Sequence, residues 1–515
     1  MAMGKTGFNV SRRWFIGGAA SFGAFGGCRF FTGSDSAAGA PNVTFGVVSD
    51  IHIVALAAAG EDERTSNNEL TFVRTLEWFR DQGVDGVIVA GDMADNGIIS
   101  QLEAVAAAWN RVFPGDRAPD GRKVERLFVY GNHDLGGLPY ARRRFKGKTD
   151  AEINSLIIYP DPKAAWEKTF HEAFEPIWTK EVKGYRFVGA HWWSQQGCRG
   201  KDETFNDGIA DWYAARAKEI DPSRPFFHIQ HPHPRNTCYG TWAWGRDIGL
   251  STKALSSFPN AVAFSGHSHY PLTDERSVWQ GAFTSVGTSS LRYMASGYEE
   301  FPGEGFVNSR APGQNGREAD AAKLQPRIPD PYDCREGMLW RVYDDRIVVQ
   351  RREFLSGLDV GEDWILPLPA AESKPFAFAA RAKKIGIPEF PASAALRIES
   401  AKAKTRGCPA KGKDPAIASV AKDCLKVIVP PAVAKDGARV YYFEVTATAD
   451  GAKPVRKRVL AEGFNHGARH ARAHADTVCL FARDELPKGA VTFTATPYNC
   501  FSRAGAAIRL SQNVI

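Results

Sequence analysis

Residues 43–52 read VTFGVVSDIH, and this stretch sets the architecture expected for the chain around it. The run 43–48 is short and dominated by apolar side chains, the pattern of a buried strand, and it ends on an acid and a histidine two residues apart. Downstream, 67–81 places Leu70, Phe72, Val73, Leu76 and Phe79 at helical spacing, with Gly83 just beyond its end. Runs at 86–90, 126–130, 186–190, 225–229 and 261–264 repeat the strand pattern. Short strands alternating with amphipathic segments predict an α/β fold, in which ligands collect beyond the carboxyl ends of the strands.

Five polar clusters stand in those positions: Asp50-x-His52, Asp92 in VAGDM, Asn132-His133-Asp134 in YGNHDL, His231 in IQHPHP, and His267-x-His269 in SGHSH. A single Gly-Asp after a strand is most often a turn, and a single D-x-H a surface pair. Five such clusters in order, each behind a strand, are not explained that way. Carboxylate, carboxamide and imidazole without thiolate suit Mn, Fe, Zn or Co, and spacing does not choose among them.

In this order the clusters resemble the calcineurin-like metallophosphoesterases, whose pattern runs D-x-H, G-D, G-N-H-[DE], H and G-H-x-H. The resemblance covers about 43–349. It implies two mixed β-sheets packed face to face and flanked by helices, holding two divalent or trivalent transition-metal ions. Asp50, His52 and His269 would hold one ion and Asn132, His231 and His267 the other, with Asp92 bridging them. A hydroxide between the ions is then the expected nucleophile for in-line attack on phosphorus. His133 would donate to the departing oxygen, with Asp134 orienting that imidazole and favouring its charged form. Within the fourth cluster, strand parity puts His231 opposite His228. His231, directly before Pro232, is the favoured ligand; His233 is the alternative or leans over the site, and His228 packs in the core.

Loops behind the clusters mix arginine with aromatics, which suits stacking and phosphate clamping but equally suits ordinary packing. Arg142, Trp192, Trp193, His233 and Tyr239 are the substrate-binding candidates, and Arg292 and Tyr293 raise the same question. The reaction expected is hydrolysis of a phosphate ester, with a lean to diesters. Rivals are a phosphomonoesterase or nuclease of the same fold, or a binding module without turnover, against which the intact ligand set argues.

At 515 residues the chain is long enough for more than one domain, and 43% hydrophobic with 24% charged residues excludes a fibrous or disordered chain. We expect an export signal and linker over 1–41, a catalytic domain over 42–366, and a small antiparallel β-sandwich over 372–515. A hairpin at 338–354 should turn at Asp344-Asp345, 367–375 should be a linker, and 425–429, 439–448, 477–482 and 490–497 should be strands. Residues 372–515 hold 24 Lys and Arg against 12 Asp and Glu, a net of +12 that leaves −5 for the rest of a chain of net +7. This balance allows contact with a polyanion or the cell envelope. Ser11-Arg12-Arg13-Trp14 resembles a twin-arginine export signal, and the apolar run behind it is too short to span a bilayer. The signal implies export to the periplasm or cell surface, and Cys28 loosely resembles a lipid-attachment site that would anchor the protein there. Among the eight cysteines, the expected pairs are Cys198 with Cys238, Cys408 with Cys424 and Cys479 with Cys500, leaving Cys334.

Overall fold

Strand β1 (Val43–Val48) is buried at all six positions, because it is covered on both faces. The structure, a computed structural model, describes residues 39–55, 69–193, 208–239, 247–294, 307, 334–405 and 420–515. Arg12, Arg13, Cys28, Cys198 and Cys408, with the expectations placed on them, lie outside these residues. Beside β1, β2 (Gly86–Ala90) and β3 (Glu125–Val129) pair in parallel, connected through helices α1 (Glu69–Asp81) and α2 (Ile99–Val112).

A second sheet comes next along the chain. It contains β4 (Ile177–Val182), β5 (Tyr185–Ala190), β6 (Phe226–Ile229), β7 (Ala261–Ser265), β8 (Val278–Gln280) and β9 (Thr284–Gly287), in the order β4-β5-β6-β7-β9-β8. The chain then returns to the first sheet. β10 (Glu336–Val342) pairs antiparallel with β1, and β11 (Arg346–Glu353), β12 (Leu358–Asp359) and β13 (Trp364–Pro367) extend that sheet beyond it.

Side-chain alternation divides the strands between two cores. Phe45, Ile88 and Val129 face the second sheet, where the Phe45 ring meets Phe227 at 4.9 Å and Phe187 at 5.2 Å. Val48, Val87, Val89 and Phe128 face the other way, under Phe72, Leu76 and Phe79 of α1 and Leu102, Val105 and Trp109 of α2. Two mixed sheets packed face to face and flanked by helices are therefore the architecture, as the resemblance implies.

The C-terminal strands form two antiparallel sheets. One is β14 (Arg397–Ala403), β15 (Lys422–Val429) and β18 (Thr477–Ala482); the other is β16 (Tyr442–Thr448), β17 (Val455–Leu460), β19 (Gly489–Tyr498) and β20 (Ile508–Val514). Leu425, Val427, Phe443, Val445, Phe481, Val491 and Phe493 share one core between them, a β-sandwich arrangement. β14, β17 and β20 are absent from the sequence-based strands, since each carries a solvated, charged face. The basic run of β17 is partly neutralised in place: Arg456 and Arg458 share Glu444, and Lys457 meets Glu485.

Two expectations need correction or limits. Cys479 and Cys500 form no disulfide: both are buried thiols, Cys479 within β18 and Cys500 beside Asp274, Glu275 and Arg276. Among the described residues, no helix is long and apolar enough to cross a membrane.

Candidate metal centre

All five clusters lie at the carboxyl ends of strands: Asp50 and His52 after β1, Asp92 after β2, Asn132 to Asp134 after β3, His231 after β6, and His267 and His269 after β7. Asp50, His52, Asp92, His267 and His269 all adopt left-handed backbone, with φ between 49° and 70°. Such residues cost about 1–3 kcal/mol each and persist only where the surroundings over-determine them. Here the loops after β1 and β2 bind one another, Asp50 N to Gly91 O and His52 N to Asp92 O at 3.0 Å each. The β7 loop is held by His267 N donating to Asp50 Oδ2 at 3.0 Å and Gly266 N donating to His231 O at 2.9 Å.

These turns aim electron pairs at one another. His231 Nδ1 donates to Ala90 O at 2.8 Å, which leaves Nε2 as a lone pair; it faces Asn132 Oδ1 at 3.1 Å, Asp92 Oδ2 at 3.2 Å and His267 Nδ1 at 3.2 Å. His269 Nδ1 likewise donates to Tyr293 O at 3.1 Å, and its Nε2 faces Asp50 Oδ1 at 3.0 Å and His52 Nε2 at 3.2 Å. Two sets result, Asp50 with His52 and His269, and Asp92 with His231 and His267, each with donor atoms within 4.8 Å of one another. His52 Nε2, 3.7 Å from Asp92 Oδ2, and His231 Nε2, 4.0 Å from Asp50 Oδ1, join them.

Convergent lone pairs in a buried space need positive charge, from protons or from cations. With protons alone, burial opposes charge on His52 and His231, yet the carboxylates of Asp50, Asp92 and Asp95 overcome it and hold both imidazoles up near 9. Burial likewise opposes Asp50 and Asp92, and the facing imidazoles hold both carboxyls well below their usual range. Asn132, through Oδ1, completes the second set. The residues present fit two cations of the Mn, Fe, Zn or Co class.

Glycines allow the loops to close. A methyl on Gly91, which has φ of 90°, would land on the His231 imidazole, and one on Gly131 would land on the Asp92 carboxylate.

His133 stands beside this centre, half-buried, its ring 4.4 Å from that of His52. Its Nδ1 donates to the backbone carbonyl of Asp95 at 2.8 Å, and burial is the main cause that lowers it to about 4. The role expected for Asp134 needs correction. Asp134 does not orient this imidazole. Its carboxylate accepts from the amides of Ala94 at 2.7 Å, Gly131 at 2.7 Å and Met93 at 3.3 Å, tying the β2 loop to the β3 loop. Burial, then the nearby Asp92 charge, push it up to about 7.

Of the substrate-binding candidates, only Trp192 lies at the centre, with its ring 5.9 Å from both His231 and His267. Arg142 is exposed and engaged by Asp150, which holds it through two hydrogen bonds. Trp193 packs on Phe174 at 5.4 Å. His233 is buried with both ring nitrogens on hydroxyls, Ser265 and Ser268, at 2.7 Å each. Tyr239 is buried, its hydroxyl 3.1 Å from Ser277 Oγ. His228 sits in the core between Tyr213 and Gln230, as expected.

The structure brings Arg292 and Tyr293, whose part the sequence leaves open, to the site together with Tyr140, and it adds Asp95. Asp95 Oδ1 lies 3.5 Å from His52 Nδ1 and receives Arg292. The Tyr293 ring lies 4.1 Å from that of His269, and Tyr140 lies 4.7 Å from His133. Together with Trp192 these half-buried side chains surround the histidines of the centre. Asp95 follows Asp92 by three residues, a spacing the sequence displays; Tyr293 acts partly through its carbonyl, which leaves no sequence signal.

The family described as calcineurin-like phosphoesterase matches residues 43–271, a span that contains all five clusters. No curated protein matches. Solved structures similar to this chain include a dimetal phosphatase from Danio rerio, 12% identical over 64% of this chain and 99% of that one, with a TM-score of 0.37. A predicted phosphoesterase from Streptococcus pneumoniae is 12% identical over 63% and 97%, with a TM-score of 0.25. Wild-type Vps29 from Entamoeba histolytica, complexed with zinc, is 8% identical over 63% and 98%, with a TM-score of 0.26.

Proposed function

We propose, from the premise that residues 43–271 carry a metallophosphoesterase domain of the calcineurin-like superfamily, that this chain is a two-metal hydrolase of phosphate diesters. The observation that supports it most is the facing of Asp50, His52, Asp92, Asn132, His231, His267 and His269 ligand atoms across a buried space. A bound cation pair supplies neutralisation of phosphoryl charge and a nucleophile that is deprotonated at neutral pH. The chain's own residues do the rest. His133, held by the Asp95 carbonyl, stands beside the departing oxygen, where charge building on that oxygen opposes the burial that otherwise keeps the imidazole neutral. Asp134 fixes the two loops that carry Asp92 and His133. Trp192, Tyr140 and Tyr293 offer aromatic faces to the ester arms.

The diester preference rests on charge. Of the cations near the site, Arg292 is already joined to Asp95, and the exposed Arg143 lies over the Tyr140 ring, 5.5 Å from its centroid. A singly charged diester with an aromatic or apolar arm fits that environment better than a dianionic monoester. Metal analysis of the purified protein, followed by bis(p-nitrophenyl) phosphate and p-nitrophenyl phosphate with the metals found, tests this reading. No release of nitrophenol from either ester refutes it, and faster release from the monoester refutes the diester preference.

Export through the Arg12-Arg13 signal, with Cys28 as an attachment point, belongs to the same reading. Activity that stays in the exported fraction after both arginines are replaced by lysine would refute it. Attraction of the basic 372–515 segment to envelope polyanions is part of it too, and elution of the full chain from heparin well below physiological salt would count against that.

A further inference from the structure

The strands β10 and β11 carry a second group of metal-type side chains, remote in sequence from the five clusters. Glu336 is paired directly across from Glu353, and Cys334 lies two residues before Glu336, so strand alternation turns all three toward one face. All three are buried. Facing like charges on one side of a sheet are destabilising, and burial deepens that cost. A segment of the C-terminal half closes over them: Asn465 and His466 are buried, and a methyl on Gly467 would stand 2.9 Å from the carbonyl oxygens of both Asp359 and Val360. That close approach sets His466 against the strand pair.

We propose that Cys334, Glu353 and His466 form a further metal site that takes one zinc ion, with Glu336 next to the thiol and held there by Leu272 N and Ser289 Oγ. The ligand atoms of the three lie within 4.8 Å of one another, and Glu336 Oε1 is 3.3 Å from Cys334 Sγ. Thiolate, imidazole and carboxylate together are a zinc set, and small side-chain rotations bring them to zinc bond lengths of about 2.0 to 2.3 Å. The surrounding groups orient the donors. His470 Nδ1 accepts from Arg472 N, which leaves Nε2 protonated and directed at Glu353 Oε2 at 3.8 Å. The His470 ring stacks on His466 at 4.1 Å and 14°, fixing the plane of that imidazole. Glu353 is further held by the amides of Leu355 and Ser356, as ligating carboxylates commonly are.

The rival arrangement is a hydrogen-bonded thiol. Cys334 Sγ also lies 2.9 Å from Asn465 O, so one thiol proton would have to serve both that carbonyl and the Glu336 carboxylate. On binding zinc the thiol releases its proton to solvent, and the cation answers both facing carboxylates.

Because Asp50, His52, Asp92, Asn132, His231, His267 and His269 include no sulfur, the two sites can be read separately. Full-length protein reconstituted with cobalt(II) should show sulfur-to-cobalt charge transfer in the near ultraviolet, which an all-nitrogen-and-oxygen centre does not give. Zinc-loaded protein should carry one equivalent more than the catalytic centre binds. Cys334→Ser and His466→Gln should each lose that equivalent and the cobalt band while hydrolysis of bis(p-nitrophenyl) phosphate continues. If either substitution prevents folding, the other variant and the wild-type spectrum still decide. An absent band in the wild type, or a band that survives either substitution in a folded variant, overturns the proposal. The band does not depend on turnover, so an inactive enzyme leaves this test intact.

Discussion

Replacing Gly131 by alanine tests whether the placement of Asp92 controls the centre. The added methyl would stand 2.5 Å from the Asp92 amide nitrogen and 2.9 Å from its Cγ, where ordinary contact begins at 3.4 Å. The Asp92 backbone must therefore yield by roughly 0.9 Å, a distance set by the contacts and by ordinary packing limits. Asp92 O accepts from His52 N at 3.0 Å and Asp92 Oδ1 from His133 N at 2.7 Å, so the shift reaches one metal-facing residue and the proposed proton-transfer residue together. Overpacking of this kind costs about 1–3 kcal/mol in stability. A misplacement near 1 Å costs about 10²-fold in rate. Urea unfolding, metal analysis by mass spectrometry and kcat/KM on bis(p-nitrophenyl) phosphate measure the three effects. A variant that keeps wild-type metal content and wild-type turnover would refute the argument that this glycine leaves room for the shared carboxylate.

The same geometry sets further outcomes. Asp92→Ala should lose bound metal and all measurable hydrolysis while far-ultraviolet circular dichroism stays near wild type; full metal content would contradict its shared position. His133→Ala should retain metal but lose about 10²- to 10⁴-fold on esters with poor leaving groups, and much less on p-nitrophenyl esters, as removal of a proton-transfer group does. Trp192→Ala should raise KM for aromatic diesters more than it lowers kcat, and the opposite split would move this side chain from binding to chemistry. Burial lowers His228 to about 4. The unfolded chain then binds a proton below about 6.5 that the folded chain refuses, so stability falls as pH drops from 6.5 towards 4. Chemical denaturation of His228→Asn across that window should show a shallower fall, and an unchanged slope would remove His228 as its source.

The metal-facing residues were legible because each follows a strand, and strand ends in an α/β fold converge on one place. Asp134 misled because adjacency in sequence does not make side-chain contact. It follows His133 directly, yet it turns away to three backbone amides that no side-chain pattern advertises. His233 and Tyr239 read as site residues from their position behind the fourth cluster, but Ser265, Ser268 and Ser277 meet them in a buried layer assembled from distant segments. Arg142 finds Asp150 eight residues on, a pairing that becomes visible only once the two short helices around it are formed. Strands of the β1 type stood out by their continuous apolar runs. β14, β17 and β20 did not, since their solvated faces interrupt the pattern with lysine, arginine and polar residues.

The pairing of β1 with β10 bears on how this protein can be cut. The calcineurin-like match stops at residue 271, yet the hydrogen-bonding neighbour on one flank of β1 does not begin until Glu336. A fragment ended at that match would bare a ribbon rich in valine, strip the Trp340 ring from its stacked place 6.0 Å from Phe45, and invite other copies to pair along the open margin. Anyone shortening the chain for expression therefore needs it to reach at least Pro367, the last residue of β13, before solubility can be expected.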